Sequence, residues 1–237
     1  MTTKKLSRRE ALGMMGVAGA AASLGCGSEG TTSPTTTTGT TGTTGGTGAS
    51  CAVSPTETIG PYPSLTNFVR SDIREGKTGT PLTLTITVVN ANNSCSPVAN
   101  AAVDIWQCDA GGNYSEYSQP GYNGTGLTYL RGIQMSDSNG RVTFTTVFPG
   151  WYAGRATHIH VQVKVNNAVV KVTQIAFPES VIDAVYASGV YASKGRNPTS
   201  NSGDMVFADS LSSELATVTG GDPTTGYTAT FTVGISI

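Results

Sequence analysis

Residues 150–165 read GWYAGRATHIHVQVKV and hold the only two histidines of the 237-residue chain, His158 and His160. Ile159, Val161, Val163 and Val165 occupy every other position, with His158, His160, Gln162 and Lys164 between them. That period of two predicts a β-strand with one apolar face turned to a core. Strand side chains alternate between faces, so both imidazoles point the same way and can share one metal ion. A chain that places both of its histidines on one polar strand face is a metal-site candidate rather than a carrier of a stray core histidine.

Working outward, the same alternation recurs. Leu82, Leu84, Ile86 and Val88 alternate with Thr83, Thr85 and Thr87, and Ala229, Phe231, Val233 and Ile235 close the chain in the same rhythm. Further strands are expected at 103–107, 142–148 after the turn Asp137-Ser138-Asn139-Gly140, and 169–177. A single short helix is expected around 182–192. Many short strands with Gly- and Asn-rich connections predict an all-β protein, an antiparallel β-sandwich with long loops and one or two short helices at most. Residues 109–127, rich in Gly and carrying Tyr114, Tyr117 and Tyr122, read as a long functional loop.

Composition agrees. Charged residues make up 12% of the chain, aromatics 7%, and there are 30 glycines, a profile suited to a turn-rich β protein. The formal net charge is -1 and no basic run is present, which excludes a nucleic-acid partner.

The first 26 residues predict an export signal. Arg8-Arg9 stands before a modestly apolar run from Ala11 to Leu24, too short and too rich in Gly and Ala for a membrane span. Ser7-Arg8-Arg9 with Leu12 resembles a twin-arginine signal, and Cys26 resembles the lipidation site of a lipoprotein, where a lipid would attach the chain to a membrane. Residues 27–50 are dominated by Thr and Gly and predict a disordered tether, spanning roughly 25 Å as a random coil. Residues 51–237 form the expected catalytic domain. Cys51, Cys95 and Cys108 belong to it, and in an oxidising compartment two should pair. Cys95 and Cys108 flank a short connection into the Trp106 strand, so a Cys95–Cys108 disulfide is the expected pairing.

Two histidines do not close a metal site, and the run after His160, VQVKVNNAVVK, offers no carboxylate. The donors near at hand are tyrosines: Tyr152, six residues before His158, and Tyr114 in DAGGNYS, with Tyr117 as the alternative in that loop. Phenol ionises near pH 10, and a strongly Lewis-acidic cation removes its proton. Phenolate oxygens together with imidazoles select ferric iron over softer metals.

The motifs ETIGPYP, DIREGKTGTPLTL, CSPVANAAVDIWQCDAGGNYS, YLRGIQMSDSNGRVTFTTVFPGWYAGRATHIH and TQIAFP resemble the intradiol ring-cleavage dioxygenases in order and spacing. That resemblance implies a β-sandwich carrying non-haem Fe(III) on Tyr114, Tyr152, His158 and His160, with Tyr114 and His158 equatorial and the other two axial. It implies a reaction of a small aromatic diol with O2, in which Tyr152 is displaced from the metal and takes up a substrate proton. Arg155 would stabilise developing negative charge, Gln174 matches the active-site glutamine, and Gly60, Pro61 and Tyr62 would line the substrate pocket. Catechol-cleaving members carry a helical N-terminal region where this chain has the tether, so an exported enzyme of small aromatic diols is expected. The rival reading is a non-catalytic β-sandwich binding module on a Thr-rich stalk.

Overall fold

The computed structural model describes residues 52–237. The expected signal and tether at 1–50, together with Cys51, lie outside the described residues. Among the described residues eleven strands carry the fold: β1 (Pro81–Asn90), β2 (Ser96–Pro97), β3 (Ala102–Trp106), β4 (Ser118–Gln119), β5 (Tyr122–Asn123), β6 (Arg131–Met135), β7 (Arg141–Val147), β8 (His158–Val165), β9 (Ala168–Ala176), β10 (Thr217–Thr219) and β11 (Tyr227–Ile235). One sheet runs β10-β11-β1-β2, with β7 also paired to β1, and the other runs β6-β3-β8-β9.

Alternation decides which side chains meet between the sheets. Leu82, Leu84, Ile86 and Val88 of β1 and Ala229, Phe231, Val233 and Ile235 of β11 join Val103, Ile105, Ile159, Val161, Val163 and Ile175 of the opposite sheet in one buried cluster. Each Val, Leu, Ile or Phe among them contributes about 1.5–3 kcal/mol on leaving water, so the interface between the sheets holds the domain together. The protein is an all-β sandwich. Among the named strand pairs only β1 and β11 run parallel, in the register Leu82↔Tyr227 to Asn90↔Ile235.

Local departures from the expected elements have physical causes. The helix α1 covers Glu179–Tyr186, shifted toward Pro178, whose carbonyl accepts the amides of Val181 and Ile182. A 3₁₀ turn at Gly189–Tyr191 follows, entered through Gly189 at φ +52°. A second short helix, α2, spans Leu211–Glu214. The loop 109–127 is stiffened by the β4–β5 ladder.

The Cys95–Cys108 disulfide does not form. Cys108 is a buried free thiol, whereas Cys95 is disulfide-bonded. The two residues lie at opposite ends of β3: Cys95 donates its amide to Asn90 at the end of β1, and Cys108 packs with Trp106 and Tyr114. A five-residue strand is roughly 16 Å long, well beyond the roughly 7 Å Cα separation a disulfide spans. Sequence proximity misled because the extended strand β3 lies between them.

Candidate metal centre

His158 and His160 sit near the start of β8 on the face away from the inter-sheet core, and they are 3% and 1% exposed. Loops therefore cover this face, which the sequence pattern alone had marked as merely polar. The covering begins with β3: Trp106 pairs with His160 across the ladder and stacks on its ring at 5.0 Å between centroids and 7° between planes. On the other side His160 pairs with Gln174 of β9.

The imidazoles point at one another. The two Nε2 atoms are 3.2 Å apart, and Tyr152 Oη lies 3.2 Å from His158 Nε2. Tyr152 arrives from the turn after β7, which Trp151 fastens by donating Nε1 to Gly195 O at 2.9 Å. Tyr114 comes from the 109–127 loop and is wholly buried, its ring 5.8 Å from that of Tyr152 and 6.4 Å from that of His160. The loop is held by Arg131, which gives Nε to Ser115 Oγ at 2.9 Å, one terminal nitrogen to Ser115 O at 2.7 Å and the other to Tyr62 O at 2.9 Å. One buried guanidinium thus ties the Tyr114 loop to the Gly60-Pro61-Tyr62 segment. Tyr117 faces elsewhere and donates its hydroxyl to Pro63 O at 2.7 Å.

Protonation follows from burial. Desolvation lowers the His158 pKa to about 4, aided by the charge of Arg155, and lowers that of His160 well below the usual range. Both rings are neutral. His158 Nδ1 is 2.7 Å from Ala156 O, so the proton sits on Nδ1 and the Nε2 lone pair faces the cluster. Burial pushes Tyr152 up to about 12 and Tyr114 far above the ordinary phenol value. Tyr114 Oη and His160 Nδ1 are buried without a hydrogen-bond partner. Orphaned buried polar atoms carry a cost, and two imidazole Nε2 atoms this close repel unless a proton or a cation lies between them.

These residues fit a metal. Two neutral imidazoles and two phenols converge, and a highly charged cation is the agent that would strip protons from phenols whose burial opposes ionisation. Among the described residues no three His, Cys, Asp or Glu side chains cluster for metal binding, so a metal here has to use the tyrosines.

Arg155 and Gln174 border this centre. Arg155 Nε donates to both carboxylate oxygens of Asp204, at 3.1 and 2.9 Å, and a terminal nitrogen donates to Gln174 Oε1 at 2.6 Å. Gln174 Nε2 in turn donates to Thr58 O at 2.9 Å, which draws the 57–62 segment over the site. Gly60 lies directly against His160, Tyr62 packs against Tyr114 at 4.8 Å between centroids with the rings tilted by 33°, and Pro61 is exposed. Asp204, Asn197 and Trp106 were missed by sequence reasoning. Trp106 was legible only as a strand residue, and nothing in the local pattern of residues 197–206 marks Asp204, which reaches Arg155 across 49 positions.

The sequence matches the Dioxygenase family over residues 62–196, more than half of the chain. The chain belongs to the intradiol ring-cleavage dioxygenases. A solved intradiol ring-cleavage dioxygenase from Tetranychus urticae is 30% identical, with TM-score 0.71 over 78% of this chain and 95% of that one. A second solved dioxygenase is 31% identical, with TM-score 0.72 and the same coverage. The dioxygenase domain of a carbohydrate-binding fusion protein from Streptomyces sp. SirexAA-E is 27% identical, with TM-score 0.59 over 78% of this chain and 99% of that one. No curated protein sequence matches the chain. Family membership supports cleavage of catechol-type rings in general and, for the family, dependence on non-haem Fe(III).

Proposed function

We propose that the protein is a non-haem Fe(III) intradiol dioxygenase. It inserts both atoms of O2 into a small aromatic diol and opens the ring between the two hydroxylated carbons, giving a cis,cis-muconate-type diacid. The observation that carries this reading is the convergence of Tyr114, Tyr152, His158 and His160, with Tyr114 Oη left unpartnered in the core. When bound, Fe(III) would accept the diol oxygens and draw electron density from the ring, opening it to attack by O2.

The chain's own residues divide the remaining work. His158 is locked by Ala156 O with its Nε2 lone pair presented, and His160 is held flat against Trp106. Tyr114 is wholly buried, whereas Tyr152 is only partly buried, so Tyr152 would be the ligand that yields to substrate. Its Oη, which iron would hold as a phenolate, would take up the proton of a substrate hydroxyl on release. Arg155, fixed by Asp204 and Gln174, stabilises negative charge that builds as the ring is attacked. Gly60 and Tyr62 form one wall, with Pro61 at its open rim, and hold the ring near the reacting atoms. The Arg8-Arg9 signal and Cys26 support action outside the cytoplasm, with a lipid on Cys26 as the attachment.

Metal analysis of purified protein, followed by oxygen uptake with a panel of catechols and ultraviolet detection of the muconate, tests the reading. One iron per chain, a wine-red colour and one O2 consumed per diol are expected. A colourless protein that retains no iron and consumes no O2 refutes it.

A further inference from the structure

Asp204 is a buried carboxylate that no step above uses directly. Its residue is 1% exposed, and both of its oxygens are occupied. Arg155 Nε reaches both, Ala156 N donates to Oδ2 at 2.6 Å, and Val206 N donates to Oδ1 at 2.8 Å. Asn197 Nδ2 adds a bond to Arg155 O at 3.0 Å from the same stretch of chain. Two arms leave this carboxylate. One runs through Arg155 to Gln174 and Thr58 O. The other runs through Ala156, whose amide binds Asp204 and whose carbonyl takes the Nδ1 proton of His158.

The ion pair also settles the charge that an incoming ring meets. The cations whose charges reach the two imidazoles are Arg155 and Arg131. Arg131 is buried, with its nitrogens given to Ser115, Tyr62 O and, at 3.2 Å, Glu116. Arg155 is neutralised at 2.9 Å by Asp204. Elsewhere, Lys77 is paired with Asp109 at 2.7 Å, and Lys194 is spent on the carbonyls of Gly111 and Trp151. An anionic substituent placed beside Arg155 would therefore leave water to meet a cation that already has its carboxylate, a net cost. An uncharged ring meets no such cost.

Resting on the dioxygenase reading, we propose that Asp204 is a positioning residue that aims Arg155 and, by neutralising it, restricts the site to catechols without an anionic substituent. The charge on Arg155 still serves the reaction, because its guanidinium lies beside Tyr152 and is held there rather than turned toward a ring carboxylate. Freed of Asp204, the same guanidinium becomes an unpaired cation at the rim.

The test is anaerobic titration of the iron-loaded protein, where no turnover occurs, with 4-methylcatechol and with 3,4-dihydroxybenzoate, followed by calorimetry. Wild-type protein is expected to bind the neutral diol about tenfold more tightly, the scale of one partly screened charge interaction. Asp204→Asn should narrow that ratio to about threefold or less, while kcat for the neutral diol falls with little change in KM. A merely structural role would weaken both ligands together. Equal or tighter binding of the carboxylate by wild type overturns the proposal, and this arm stands even if Asp204→Asn fails to fold. An unchanged ratio in a folded Asp204→Asn, verified by its melting transition, overturns it as well. Absence of oxygen uptake with every catechol would count against ring cleavage instead, since the binding ratio is read without O2.

Discussion

Replacing Gly60 by Ala tests how closely the 57–62 segment is fitted to the metal centre. Gly60 has φ +76°, and a Cβ built there would lie 2.7 Å from Cε1 and 3.2 Å from Nε2 of His160. The imidazole has little room to give, since its ring stacks on Trp106 with an interplanar angle of 7°. Two costs follow. A side chain in the left-handed region costs roughly 1–2 kcal/mol, and forcing an extra methyl into a packed site costs roughly 1–3 kcal/mol more. Gly76 separates them, because it has the same φ of +76° with nothing within 4 Å of its built Cβ. Gly76→Ala should therefore lose roughly 1–2 kcal/mol and Gly60→Ala roughly 2–5 kcal/mol in urea denaturation. The excess comes from His160 being pushed off its position, so iron content after dialysis against a weak chelator should fall in Gly60→Ala alone. If the two variants cost the same and both retain their iron, the close approach of Gly60 to His160 is not what the segment is built for.

Other outcomes follow from the same geometry. Tyr152→Phe removes one phenol while leaving Tyr114, so the visible band of the iron-loaded protein should shift and weaken; an unchanged spectrum removes Tyr152 from the ligand set. Glu214 is buried against Thr173 and Ser210, and desolvation raises its carboxyl from the usual 4.5 to about 7, while Asp104 rises to about 6 for the same reason. Between about pH 4.5 and 7 the folded state then binds more protons than the unfolded chain, so stability falls as pH rises through that window. Glu214→Gln should flatten this slope in melting curves recorded across it, and an unaltered slope would refute the assignment. Cys108, whose thiol burial pushes up to about 12, should resist thiol reagents at pH 8 until the protein unfolds. Peptide mass spectrometry showing rapid labelling of native Cys108 would contradict its burial.

Much of the scaffold was legible because strand periodicity is a local property. The alternation in 82–88, 158–165 and 229–235 names the faces that meet between the sheets, whatever the order of strands. The H-x-H spacing likewise puts both imidazoles on one face, since side chains two apart on a strand must point the same way. Register, coverage and long-range partners are another matter. β6 was overlooked because RGIQM shows no clear alternation, and nothing in the alternation of β1 and β11 marks their ladder as the parallel one. The Cys95–Cys108 pairing failed because the extended strand β3 lies between the two residues and holds apart in space what lies close in sequence. Tyr114 and Tyr117 could not be told apart locally. What separates them is Arg131, whose bonds to Ser115 set the loop so that one ring turns inward and the other reaches Pro63.

The sequence by itself determined the β class, the inward faces of the long strands and the shared face of His158 and His160, because each depends only on backbone period. The tertiary structure alone decided that this polar face is dry, that Gly60 lies on His160, and that Asp204 pairs with Arg155. Those depend on loops closing over a sheet and on groups as far apart as positions 155 and 204 losing water together. No short-range pattern encodes that loss, because its energy arises only when the whole surface is covered.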